Sequence, residues 1–70
     1  MSSFVRYILK HKHQETPYGD VARDILADPN VKRNWSHRRL SKYLTEVGAT
    51  QRVFELIDML HWEYKEIWLT

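Results

Sequence analysis

Apolar residues recur along this chain at intervals of three and four, and β-branched residues never alternate with polar ones, so the period is helical throughout. Phe4, Tyr7, Ile8 and His11 fall on one side at i, i+3, i+4 and i+7. That spacing predicts a helix from about Phe4 to about Lys12, with Ser2 or Ser3 as N-cap. A second helix begins at Thr16-Pro17, a capping residue followed by proline at the first helical position, and buries Tyr18, Val21, Ala22 and Ile25. It stops at Asp28, because Pro29 restricts the residue before it and cannot continue the turn. A connection from Pro29 to Trp35 leads to Ser36, the N-cap of a third helix with Leu40, Tyr43, Leu44 and Val47 on its apolar side. Gly48 ends that helix as a left-handed C′ residue. Thr50 then caps a long final helix to about Trp68, whose broad stripe holds Val53, Leu56, Ile57, Leu60, Tyr64, Ile67 and Trp68. Three short helices closed by a long one predict a compact all-α bundle in which the last helix contacts the other three. No repeat, linker or low-complexity stretch interrupts the pattern, so residues 1–70 read as a single helical domain.

Composition adds limits. The chain is 43% apolar and 29% charged, which suits a globular protein and not a disordered one. A chain this short hides only about 60% of its unfolded surface, so thin stability is expected, and a dimer would relieve the shortage of core. Without cysteine there are no disulfides and no thiolate metal sites. No apolar run approaches the roughly 20 residues of a membrane span, and no signal-peptide core is visible, so a cytoplasmic protein is expected.

Charge changes the picture more. Residues 31 to 45 carry Lys32, Arg33, Arg38, Arg39 and Lys42 with no acid among them, a local +5 in a chain of net charge +2. Acids gather instead in the second helix (Asp20, Asp24, Asp28) and the fourth (Glu55, Asp58, Glu63, Glu66). At about 100° per residue, Arg38, Arg39 and Lys42 lie opposite the Leu40, Tyr43 and Leu44 stripe, and Trp35 projects to the same outer side. Trp35 then has two readings. It is a stacking platform or protein anchor beside three cations, or it tucks into the core from its loop while the cations are simply solvated. Trp62 points about 180° from Val53, with Met59 near it. That pair marks either a second contact surface or a helix wrapped on more than one side.

Catalytic and metal chemistry find little support. His11 and His13 point about 200° apart on a helix, no nearby acid completes a site, and His37 and His61 are solitary in sequence. Asp20 and Asp24 are neighbours at i, i+4, but Arg23 adjoins them and a solvated face accounts for them. No serine sits in a glycine-framed elbow, and two isolated glycines form neither a phosphate loop nor a dinucleotide fingerprint. No enzyme activity, cofactor, metal or small-molecule substrate is therefore expected. The segment LSKYLTEVGATQRVFELI has the cadence of a helix-turn-helix, but its second helix presents Glu55, Asp58 and Glu63, which phosphates would repel.

These stretches resemble the YozE family of small bacterial proteins with a four-helix fold like the sterile alpha motif (SAM). SFVRYILKHKH is similar to the family's opening at Ser3, Phe4, Tyr7, Ile8 and Leu9, and DVARDILADPNV to its second helix at Ala22 and Asp28. LSKYL resembles the third helix at Tyr43 and Leu44, and Asp58 and Tyr64 match the last. The family carries Trp three residues before that final Tyr, where this chain has His61, its Trp being shifted to Trp62. The resemblance implies a SAM-like fold and, in general terms, an interaction module. Two functions are weighed on these grounds. One is a protein contact, with a partner or with itself, through oppositely charged faces. The other is nucleic-acid binding through Lys32, Arg33, Arg38, Arg39 and Lys42 with Trp35 stacking.

Overall fold

Ser3, Thr16 and Ser36 each open a helix by the same device, a side-chain oxygen that accepts a backbone N–H three residues on. In the computed structural model, which describes residues 3–69 (Trp68 and Leu69 by backbone alone), these caps begin α1 (Phe4–Leu9), α2 (Pro17–Ala27) and α3 (His37–Glu46). The fourth helix, α4 (Gln51–Leu69), starts after Thr50, whose carbonyl accepts from the N–H groups of Val53 and Phe54. The expected all-α, four-helix architecture is present, and α4 packs against α1, α2 and α3.

The first helix is shorter than its apolar spacing predicts. Beyond Leu9 the N–H groups of Lys10, His11 and Lys12 reach back only three residues, to the carbonyls of Tyr7, Ile8 and Leu9, so the chain tightens into turns. Arg23 satisfies the carbonyls freed there, donating to Lys12 at 2.9 Å and Gln14 at 3.0 Å, and pairs with Asp20. The same turn presses on α2, where a Cβ at buried Gly19 would overlap the backbone carbonyl of Gln14. Only glycine fits there.

The α3–α4 elbow is a Schellman motif. Gly48 at φ 74° takes the left-handed conformation, its N–H bonds to Thr45, and the Ala49 N–H bonds to Leu44 at 2.9 Å. This turn corrects one expectation. Val47, predicted in the core stripe, is the C-cap residue and stays 57% exposed, while Ala49 folds back onto the core in its place.

Phe4, Val5, Tyr7, Ile8, Val21, Ala22, Ile25, Leu40, Leu44, Ile57 and Leu60 form the buried core. Val53, Phe54, Leu56 and Tyr64 cover it in part from α4. Ile67, expected in the same stripe, is 54% exposed. Length is the difference: nineteen residues of α4 run about 28 Å and six of α1 about 9 Å, with Tyr7 of α1 bonded to Glu63 and packed on Tyr64. The predicted burial of the Trp68 side chain lies outside the described residues.

Candidate functional site

Helix α1 and the 30s loop are pinned together by two bonds. The Ser3 hydroxyl donates to the Arg33 carbonyl, and the Val5 N–H donates to the Trp35 carbonyl at 3.3 Å. The loop itself is tightened by a Trp35 N–H bond to Lys32. This attachment carries Arg33 beside Arg6, Lys10 and Lys12, and the four cations with Leu9 line one shallow hollow of about 330 Å³. Sequence reading missed this grouping, because Arg33 lies far along the chain from α1. The local absence of acid across residues 3–14 was its one visible trace.

All five cations singled out from sequence, Lys32, Arg33, Arg38, Arg39 and Lys42, are exposed, and among the described residues none is in an ion pair. Residues 3–14 and 29–45 together hold eight cations and no acid, and the remainder holds nine acids against three cations. The basic segments are neighbours in space through α1, the loop and α3, and the acids lie mainly on or beside α2 and α4. Charge is therefore sorted between the two halves of the bundle.

Trp35 lies at the edge of the core, under one of the cations. It is half-buried and packs on the core, with its ring tilted against Tyr43 at 5.5 Å, while the Arg39 guanidinium lies 4.5 Å from the ring centroid. A nucleic-acid base stacking there would first have to displace Arg39. Trp62 and Met59 are 63% and 53% exposed on α4. Trp62 lines a shallow hollow with Tyr7, Glu63, Glu66 and Ile67, so its apolar surface is set among carboxylates. Burial, with the Glu63 carboxylate accepting the Tyr7 hydroxyl at 3.2 Å, raises the pKa of that phenol.

His37 and His61, solitary in sequence, meet in space. Ring centroids stand 3.8 Å apart at 5° between planes, joining the first residue of α3 to the middle of α4. His37 Nε2 lies 3.0 Å from an Asp58 carboxylate oxygen, and Phe4 presents its edge to both rings at 5.4 and 5.1 Å. Burial first, then the adjacent His37 and Lys65, lower the pKa of His61, with Asp58 opposing. Farther along α3, the Tyr43 hydroxyl donates to Asp28 at 2.6 Å, and the Asn30 N–H binds the other Asp28 oxygen at 2.9 Å. Those two bonds hold the Asp28 carboxyl below the ordinary range, and the Asp28 bond holds the Tyr43 phenol above its own.

Among the described residues, no group of three or more His, Cys, Asp or Glu is arranged to hold a metal ion. Among the described residues no helix is long and apolar enough to cross a membrane. A family model described as YozE SAM-like fold matches residues 3–66. Neither a curated protein nor a solved structure matches the chain.

Proposed function

This chain belongs to the YozE SAM-like family, and from that premise we propose that it is a non-enzymatic interaction module that binds a protein through oppositely charged faces, in the simplest case a second copy of itself. The observation that carries the reading is the sorting of charge: eight cations without an acid across residues 3–14 and 29–45, and a net excess of acids elsewhere. An unneutralised basic face costs self-repulsion within one molecule, and that cost is relieved when an acidic face meets it. Exposed Trp62, with Glu63 and Glu66 beside it, suits the acidic side of such a contact, because an indole among carboxylates attracts arginine or lysine by both charge and ring face. Head-to-tail pairing of two unlike faces leaves one of each free, so association need not stop at a dimer.

Sedimentation across a salt series tests this. Association at low ionic strength that dissolves toward 1 M salt, where the Debye length is about 3 Å, is the expected result. A strict monomer at high concentration and low salt removes self-association.

A second reading, nucleic-acid binding, is favoured by one observation, the hollow lined by Arg6, Lys10, Lys12 and Arg33. It predicts affinity that falls by roughly 0.7 to 0.9 log units per contacted phosphate for each log unit of salt. Charge reversal at Arg38 and Arg39 separates the surfaces: it abolishes binding carried by α3 and leaves binding carried by the α1 hollow.

A further inference from the structure

Where α2 passes Val31 and the α3–α4 elbow, the bundle leaves a cavity of about 120 Å³ walled by Val21, Ile25, Val31, Leu44, Ala49 and Val53. Two carboxylates share the lining, Asp24 on α2 and Asp28 at its C-cap. Like charges on one lining repel, and the neighbouring cation does not relieve them. Arg23 turns instead to Asp20 and to the carbonyls of Lys12 and Gln14. Asp28 is fixed in place by Tyr43 and Asn30, while Asp24 is exposed and, among the described residues, in no ion pair. The site is thus an aliphatic socket beside two carboxylates that, among the described residues, are in no ion pair.

We propose that this socket docks a segment of another protein in which an aliphatic side chain stands next to lysine or arginine, the alkyl group filling the cavity and the cation lying against Asp24 and Asp28. Charge complementarity selects the cation and the wall selects the alkyl group. A second copy is the poorer occupant. Among the described residues, none of the exposed large apolar side chains, Leu26, Val47, Met59, Trp62 and Ile67, has a lysine or arginine as its immediate sequence neighbour, and Leu9, which adjoins Lys10, is half-buried. The inference goes beyond charge pairing between copies, and it stands or falls separately from sedimentation.

Methyl NMR of the full chain tests it with three short capped peptides: Lys-Leu-Lys, Lys-Ser-Lys and Glu-Leu-Glu. The expected result is saturable shifts at the methyls of Val21, Ile25, Leu44 and Val53 with the first peptide. The other two should bind at least about tenfold more weakly. Asp24→Asn, an exposed change that leaves the fold intact, should weaken the first peptide severalfold, and Ala49→Leu should block it by filling the socket. Equal response to Lys-Ser-Lys, no saturation with any peptide, or undiminished binding to Asp24→Asn would overturn the proposal. So would the same methyl shifts appearing with protein concentration alone, since the occupant would then be a second copy.

Discussion

Two side-chain clasps hold α3 to the rest of the bundle, one toward each end, and they are chemically unlike. At the start of the helix, His37 stacks on His61 and meets Asp58 of α4. Two turns on, Tyr43 bonds to Asp28 at the end of α2. The second clasp joins a phenol to a carboxylate whose shifts move their titrations apart, so it is indifferent to pH across the neutral range. The first contains the side chain that changes charge there. Because α3 carries Arg38, Arg39 and Lys42, the basic face is mounted on one pH-sensitive and one pH-insensitive support.

The bluntest way to break this comparison is Phe4→Ala. Phe4 is 2% exposed and supports both imidazoles, so its truncation should cost about 3–5 kcal/mol, read by urea unfolding. A domain of this size is expected to survive that change poorly, if at all.

Sharpening it needs the pH axis. His61 has a folded pKa below its ordinary value of 6.5, so the folded state binds the proton less readily than the unfolded chain. Its contribution is therefore complete above about 6.5 and is lost as pH falls through the lower folded value. The groups facing it are His37 from α3, Asp58, Tyr64 and Lys65 from α4, and uncharged Phe4 from α1. Thermal melts of the wild type should lose stability from pH 7 to pH 5, and His61→Phe should flatten that slope while keeping a ring in the stack. An unchanged slope would remove the histidine from the account.

Tyr43→Phe tests the other clasp. It should lower the melting temperature less than Phe4→Ala does, by a margin independent of pH between 5 and 8. The Asp28 contribution, with its folded pKa depressed, is present above the ordinary carboxylate range and lost only in stronger acid. A pH-dependent loss near neutrality would contradict the distinction. Smallest in stability is Trp62→Ala, at 63% exposure within about 0.5 kcal/mol of wild type by denaturation, yet weakening salt-sensitive association in the ultracentrifuge.

The starts of the helices and the stops of α2 and α3 were legible because each is written locally: Thr16-Pro17, Ser36 and Gly48 specify caps and turns through their own chemistry, whereas no such residue marks the end of α1 at Leu9. The exposures of Val47 and Ile67 were not, since a helical projection assumes a partner surface along the whole helix, and neither the elbow nor the length of α1 enters it. Individual cations could be read from residue type. Their grouping could not, because Arg33 is brought to α1 by the Ser3 hydroxyl, which donates to its carbonyl, and by the Val5 N–H bond to Trp35. The stacked histidines were likewise invisible to spacing, since His37 and His61 lie on different helices.

Gly19 carries a different kind of lesson. Where α2 crosses the 11–14 turn, main chain rests nearly on main chain, so no side chain sets the separation. Substitutions around that crossing can reshape the surface without changing how far apart the two segments ride. A single methyl at position 19 would reset it, tilting α2 and with it the aliphatic socket that Val21 and Ile25 help to wall.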